Sequence, residues 1–361
     1  MSVAKARAVL AAVPRWLFVA TRRRGRGSVA LFYGHARVPH LGEPVNGGMV
    51  KFQRLQEVWP NDVAGFNLLY LGSSSMPWDW RVLVRLARRR GAAIAWNQNG
   101  VAYPGLMGAA TARINRPMAA VLHEADHVFF QSEFCRVASE TFLGRRDGPA
   151  EVLYNAVDTD RFTPTSPPAR PLTLLVGGSQ YLRYRVDVAL ETVARLVARG
   201  RDVRLVVTGA LRWAPEETAR REIDAEIARL GLDERVAFTG AYTQEEAPDV
   251  LRSGDVLLHT KVNDPSPGLV VEAMACGLPV AYSASGGVPE LVGDEGGVGV
   301  PTPLDWERDQ PPAPDALADA VEAIVERHAD YRSAARARAV ARFGLEEWIE
   351  RHRRVFEDLA R

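Results

Sequence analysis

From residue 28 to the C-terminus, short apolar runs alternate with segments whose apolar residues recur every three or four positions. The short runs, bounded by turn residues, predict buried strands at 29–33, 67–71, 92–96, 128–130 and 152–154. A second set follows at 172–176, 205–208, 236–239, 256–259 and 279–282. The three-and-four spacing predicts helices, among them 186–198, 216–230 and 315–327. Such alternation implies parallel sheets covered by helices on both faces. One stretch interrupts it: residues 163–171 read TPTSPPARP. So dense a proline run continues neither a helix nor a central strand, and it predicts an interdomain linker. The chain then divides into α/β domains over 28–165 and 168–344. A last helical pattern, 345–361, carries Trp348, Ile349, Val355 and Phe356 for packing back on the first domain. A second proline-rich stretch, 301–314, reads as a surface loop. Two doubly wound, Rossmann-like sheets facing each other form a cleft at their carboxyl edges, where ligands bind in such sheets.

Composition excludes several classes. With 361 residues, 47% hydrophobic and 25% charged, the chain is neither disordered nor a small disulfide scaffold. A net charge of +1 provides no global field for nucleic acid, and no nucleic-acid partner is expected. Cys135 and Cys276 are too few for a disulfide framework and suit a reducing, cytoplasmic compartment. Lysine is scarce: only Lys5, Lys51 and Lys261. Residues 1–27 carry Lys5, Arg7, Arg15, Arg22, Arg23, Arg24 and Arg26 and no acid. Their apolar stretch, 8–20, is shorter than the roughly 20 residues of a spanning helix, and Pro14 and Arg15 interrupt it. Two readings stand for this segment. One is a solvated basic arm. The other is a peripheral contact with the inner face of the membrane through Trp16, Leu17 and Phe18.

The densest chemistry lies in 264–290, DPSPGLVVEAMACGLPVAYSASGGVPE. Asp264 precedes Pro265, Pro267 and Gly268, and a helical run then extends to Cys276. Gly277 closes it as a C-terminal cap. The helix therefore starts at Gly268, just past the strand 256–259. Its free N–H groups around Gly268, Leu269 and Val270, with its dipole, form an anion site suited to a pyrophosphate. Glu272, one turn in, can accept two hydrogen bonds from a diol such as a ribose. Asp264 fits either a ligand contact or a helix N-cap. His259, at its strand end, fits either a donor contact or a structural histidine. At Gly286-Gly287 a backbone can approach a ligand closely.

These residues resemble the donor-binding signature of family 4 glycosyltransferases of the GT-B fold. Glu272, Ala273-Met274-Ala275-Cys276-Gly277, Pro279-Val280 and Gly286-Gly287-Val288-Pro289-Glu290 all match it. The resemblance extends to Gly47-Gly48, to 125–134 (ADHVFFQSEF), to 155–162 (NAVDTDRF) and to 238–242 (FTGAY). It implies a retaining transferase that moves a sugar from a nucleotide-sugar donor to an acceptor hydroxyl of a bacterial glycan, lipid-linked glycan or secondary metabolite. The nucleotide sugar is a co-substrate, and neither a cofactor nor a metal is implied. Gly47 and Gly48 would approach the donor phosphate, and Tyr242 the base. Asp264 would hold the transferred sugar, Glu272 the ribose, and Arg183 or Arg185 the diphosphate, guanidinium being a good phosphate partner. Asn97 and Asn99 would lie on the acceptor side. Two departures stand out. Asp264 replaces the usual Glu, and amides at 97–99 stand where the family often carries a His. They motivate the alternative, a degenerate GT-B protein that binds a nucleotide sugar without transfer.

Two further patterns carry less. His123-Glu124-Ala125-Asp126-His127 has zinc-protease spacing, but the strand 128–130 predicts that the helix ends between the histidines. Asp158-Thr159-Asp160 reads as a turn rather than a metal site.

Overall fold

The computed structural model describes residues 3–21, 27–166 and 171–361, with side chains from residue 12 onward. The basic cluster Arg22, Arg23, Arg24 and Arg26, the side chains of Lys5 and Arg7, and residues 167–170 of the proline run lie outside the described residues.

Five parallel strands form the first sheet: β1 (Leu31–Phe32), β2 (Leu68–Gly72), β3 (Ala93–Gln98), β4 (His127–Phe130) and β5 (Ala150–Val152), in the order β1-β2-β3-β4-β5. β1 is shorter than its apolar run. Asn67 replaces part of its ladder, accepting from Ala30 N at 3.0 Å and donating to Ser28 O at 3.0 Å through its side chain. The second sheet has six: β6 (Leu172–Val176), β7 (Val203–Thr208), β8 (Val236–Gly240), β9 (Val256–His259), β10 (Val280–Ala284) and β11 (Gly297–Pro301). Their order, β11-β10-β9-β6-β7-β8, reverses between β6 and β9. β11 reads GVGVP, without the apolar run that would betray it in sequence.

Side-chain alternation along each strand supplies two buried faces. In the first domain Leu69, Leu71, Ile94, Trp96 and Val128 pack on helices Trp80–Arg89, Thr111–Glu124 and Glu133–Leu143. Leu68, Tyr70, Ala95 and Phe129 face helix Gly47–Gln56 and the C-terminal helix Leu345–Ala360, which contributes Trp348, Val355 and Phe356. In the second domain Leu174, Leu205 and Leu258 pack on helices Tyr184–Ala198, Glu216–Leu230 and Pro314–Glu326. On its other face Leu175, Leu257 and Val280 meet helix Gly268–Ala275 and helix His328–Arg342.

Two expectations are corrected. Residues 12–21 are not a solvated arm. They belong to helix Val3–Thr21, which buries Ala12 and Val19 in the first domain. Arg15 pairs with Asp79, whose side chain is fully buried, and Trp16 Nε1 donates to the same carboxylate at 2.7 Å. A buried carboxylate needs such partners, and they pin the helix. Leu17 and Phe18 face outward. Among the described residues no helix is long and apolar enough to cross a membrane. The 301–314 segment, in turn, is not a free surface loop. Its Trp306 packs against Tyr103, Phe134 and Phe142 of the first domain, at ring-centroid distances of 5.3, 5.5 and 5.1 Å. The apolar indole is covered there rather than hydrated.

Candidate active site

β9 delivers His259 to the carboxyl edge of the second sheet, buried. The chain then turns at Asn263, whose φ of +50° marks a left-handed residue that its short polar side chain tolerates. Asp264 consequently sits beside the strand end. Its Oδ2 lies 3.2 Å from His259 Nε2 and its Oδ1 lies 3.3 Å from Lys261 Nζ. Burial works to raise its pKa, but Lys261, His259 and Arg185 outweigh it and hold the carboxyl well below the usual range. Burial lowers the His259 pKa, against the opposing pull of Asp264. Helix Gly268–Ala275 begins after Pro267, with no side-chain cap. Asp264 is therefore not its cap, and among the described residues the first N–H groups, at Gly268 and Leu269, have no side-chain partner, while Val270 N donates to Pro267 O at 3.1 Å. Gly286-Gly287 serve a different approach from the one expected: a Cβ on either would collide with the backbone of Asp264 or Pro265. The two glycines let this turn close over the Asp264 loop, and Gly287 N donates to Asp264 O at 2.9 Å.

The two candidate arginines separate. Arg185 is buried, with Nη2 donating to Gly177 O at 2.7 Å and Nη1 to Ser179 O at 3.3 Å. Its charge reaches Asp264 and Tyr242. Arg183 is exposed and turns away, onto the half-buried carboxylates of Asp187 at 3.2 Å and Glu222 at 3.3 Å. Tyr242 lies within electrostatic reach of Glu272 and Arg185, and burial pushes its phenol up to about 12. Glu272 is engaged across the cleft. Arg54 of the first domain donates to Glu272 Oε1 at 3.0 Å and to Gln244 Oε1 at 3.1 Å, and also holds Ala156 O.

Along this edge several buried polar atoms lack hydrogen-bond partners among the described residues: Arg185 Nε, Thr208 Oγ1, Ser266 Oγ, Asn263 Oδ1 and Gln180 Oε1. Buried polar groups are ordinarily satisfied. Arg185 Nε and the hydroxyls of Thr208 and Ser266 are donors that an anionic ligand would complete, whereas the amide oxygens of Asn263 and Gln180 accept and call for a ligand O–H or N–H.

The carboxyl edge of the first sheet is built from amides and hydroxyls. Asn97, the penultimate residue of β3, accepts from Gln131 Nε2 at 2.8 Å. Asn99 N donates to Ser73 Oγ at 2.9 Å, and Asn99 Nδ2 donates to Ser74 Oγ at 2.7 Å. Helix Gly47–Gln56 starts against this cluster, and a Cβ on Gly48 would collide with Ser74, whereas Gly47 faces open space. Lys51, from the same helix, holds Asn97 and Asn99. The edges meet: Asn155 Nδ2 donates to Ser266 O at 2.8 Å, and Glu290 accepts from Glu133 N and Phe134 N, both at 2.8 Å, at the start of a first-domain helix. A cavity of about 410 Å³ between residues 151–156 and 341–354 includes none of the candidate residues.

Sequence reasoning missed Lys51, Arg54 and Lys261. For Lys261 a signal existed: a rare lysine three residues before Asp264. Lys51 and Arg54 show nothing in sequence beyond their place after Gly47-Gly48. The zinc-like pattern resolves as anticipated. One helix ends at Glu124, β4 begins at His127, and His127 meets Glu151 at 3.0 Å. Asp158 Oδ1 accepts from Asp160 N and Arg161 N, both at 3.1 Å, which is a turn.

Two parallel α/β domains joined at their carboxyl edges, with an open helix N-terminus, acids and a buried arginine between them, define the GT-B class of glycosyltransferase folds. Residues 170–327, within the second sheet's half of the chain, match the family Glycosyl transferases group 1. Solved structures share the fold. HepE of Anabaena in complex with UDP-glucose superposes with a TM-score of 0.67 at 20% identity, covering 81% of this chain and 79% of that one. Sucrose-phosphate synthase of Thermosynechococcus elongatus gives 0.66 at 20% identity, over 81% and 74%. Among sequence relatives, the gpi3 subunit of phosphatidylinositol N-acetylglucosaminyltransferase from Schizosaccharomyces pombe is 25% identical over 232 residues, 63% of this chain and 47% of that protein. The 2-deoxystreptamine glucosyltransferase of Streptomyces kanamyceticus is 37% identical over 105 residues, 29% of this chain and 26% of that protein. The D-inositol 3-phosphate glycosyltransferase of Mycolicibacterium smegmatis is 28% identical over 187 residues, 48% and 41%. The matched regions thus span less than half the length of these relatives.

Proposed function

We propose that the protein is a retaining glycosyltransferase that takes a sugar from a nucleotide-sugar donor and passes it to an acceptor hydroxyl. The observation that carries this reading is the set of unsatisfied buried polar atoms around Arg185, Thr208 and Ser266, beside the open N-terminus of helix Gly268–Ala275. A diphosphate would complete them. Helix N–H groups, Arg185 and Lys261 would stabilise the charge developing on the leaving nucleoside diphosphate, so the reading assigns no role to a metal. Asp264, ionised, would hold sugar hydroxyls, and Glu272 would take the ribose diol, sharing or exchanging Arg54. The UDP-glucose in the HepE complex makes UDP-sugars the first donors to try. The acceptor would enter against Asn97 and Asn99. Peripheral membrane contact belongs to the same proposal, with Leu17 and Phe18 as the outward apolar residues of the first helix. Sedimentation with anionic vesicles, compared with a Leu17→Ser/Phe18→Ser variant, tests it.

Thermal melts with a panel of nucleotide sugars test the donor site. A ligand at 100 times its dissociation constant stabilises by about 2.7 kcal/mol. A shift for one nucleotide class, lost in Glu272→Gln, is expected; no shift across the panel would refute the reading. Binding without turnover on any acceptor, water included, would favour a nucleotide-sugar-binding protein.

A further inference from the structure

The charge of this chain is divided. Residues 1–123 hold 17 Lys or Arg against 4 Asp or Glu, and residues 124–361 hold 28 against 40. The near-neutral total thus joins a portion at +13 to a portion at −12. A protein so polarised meets an anionic surface positive side first.

The positive portion gathers on one side of the first sheet, covered by helices Val3–Thr21, Trp80–Arg89 and Thr111–Glu124. Arg81, Arg85 and Arg89 on the second helix and Arg113 and Arg116 on the third are exposed, and among the described residues no acid pairs with them. Neither of these two helices has an acid in its first turn. Arg81 and Arg113 stand there instead, where the helix dipole repels a cation. A placement that works against the helices themselves calls for a negative partner outside the chain. Large apolar side chains share this surface. Leu17 is 61% exposed on the first helix, Trp78 is 53% exposed in the loop after β2, and Met107 is 43% exposed in the loop after β3. Trp78 leans on Trp16, with ring centroids 5.9 Å apart. An acidic soluble partner would need only the arginines. Arginines around exposed tryptophan and leucine are the composition of a surface seated at the headgroup level of a bilayer. The loop that carries Trp78 also reaches the amide edge, since Ser73 and Ser74 at its start accept from Asn99. Four residues on from Ser74, Trp78 is at most about 14 Å of chain away.

We propose that the first domain docks on an anionic phospholipid bilayer through this face, and that the acceptor is a headgroup hydroxyl of a lipid in that bilayer, brought past Trp78 to Asn97 and Asn99. The acceptor assignment rests on the transferase reading; the docking does not. In the transfer, the lipid oxygen bonds to the anomeric carbon and the bond from that carbon to the diphosphate breaks. Its electron pair leaves on the diphosphate, which takes the hydroxyl proton.

Sedimentation with vesicles of phosphatidylglycerol and phosphatidylcholine, against phosphatidylcholine alone, reads the docking. Binding to the anionic vesicles alone is expected. Arg81→Glu/Arg85→Glu should bind at least about tenfold more weakly. Quenching of tryptophan fluorescence by lipids brominated on their chains should fall in Trp78→Phe. Both variants change exposed residues and should melt with the wild type. Equal binding to the two kinds of vesicle, or undiminished binding and quenching in the variants, would overturn the docking. The acceptor is read with 14C-labelled UDP-glucose and vesicles of the source organism's membrane lipids. Label is expected in the chloroform-soluble fraction, at least about tenfold less of it with Arg81→Glu/Arg85→Glu. No label in lipid from a wild type that shifts thermally with UDP-glucose would overturn the acceptor assignment. No such shift in the wild type would instead count against the donor reading and remove that assignment with it, while the docking would stand or fall on the vesicles.

Discussion

The carboxyl edges of the two sheets are chemically unlike. The second sheet ends in Asp264, Lys261, His259 and Arg185, with Glu272 on the helix behind. The first ends in Asn97, Asn99, Gln131, Ser73 and Ser74, with Lys51 as its one ionisable group of the set. A cluster of fixed charges suits a ligand whose own charge changes, because a field in a low-dielectric site acts strongly on charge that develops there. A cluster of amide and hydroxyl dipoles suits neutral hydroxyls, which need direction rather than field. The scaffolds differ in parallel. The second sheet reverses its strand order between β6 and β9, opening a crevice, whereas the first runs in sequence and is shaped by helix Gly47–Gln56 and the C-terminal helix.

The largest effect should come from the Arg54–Glu272 ion pair, which joins the edges. Arg54 and Glu272 are both about nine-tenths buried, at 9% and 8% side-chain exposure. Removing one partner of such a pair strands the other charge, at a cost of roughly 3–5 kcal/mol. Glu272→Ala should therefore unfold earlier without ligand, and Arg54→Met combined with Glu272→Ala should recover part of the loss in urea melts. Additive losses would show that the edges are not coupled through this pair.

Next comes the support beneath the amide edge. His352 is buried against Tyr70, with its Nε2 3.2 Å from the phenol oxygen and its Nδ1 2.9 Å from Trp348 O. Burial lowers its pKa from 6.5 to about 3. The folded state keeps it neutral while the unfolded chain protonates it below 6.5. Its contribution is thus complete above pH 6.5 and is lost as the pH falls toward 3, at up to about 1.4 kcal/mol per pH unit. Urea melts at pH 7, 5 and 4 should show a slope shallower by about one proton in His352→Gln. Somewhat smaller is Arg15→Met, which deprives the buried Asp79 of its cation while Trp16 stays bonded. A loss of about 2 kcal/mol is expected, and an unchanged melt would restore the solvated arm. The smallest effect is a contrast between neighbours. Arg183→Gln should leave stability within about 0.5 kcal/mol and nucleotide affinity within twofold, since Arg183 is exposed and its acid partners are only half-buried. Arg185→Gln should abolish the nucleotide shift. Equal behaviour of the two would mean that the charged edge does not rely on the buried guanidinium.

Much of the second domain was legible because its information is local. Apolar runs mark β6 and β9, Pro267-Gly268 and Gly277 punctuate the helix, and Glu272 sits at a fixed distance from both. The misses are long-range. β11 is glycine-rich and is a strand only because β10 pairs with it. Trp306 looks like a loop residue until three rings from the other domain surround it. Residues 12–21 carry an apolar, basic pattern that fits an arm or a docked helix equally, and a carboxylate 63 residues from Trp16 decides between them.

By itself, the sequence determined the alternation of strand and helix and the loop and helix that hold Asp264 and Glu272, since each follows from side-chain spacing and turn chemistry within a few residues. Tertiary structure alone decided that Arg185 rather than Arg183 turns inward, that Arg54 crosses the cleft to Glu272, and that Lys51 lies buried between two amides without a counter-ion. Burial and partnership across hundreds of residues set the energy of a charge, and no local pattern encodes them.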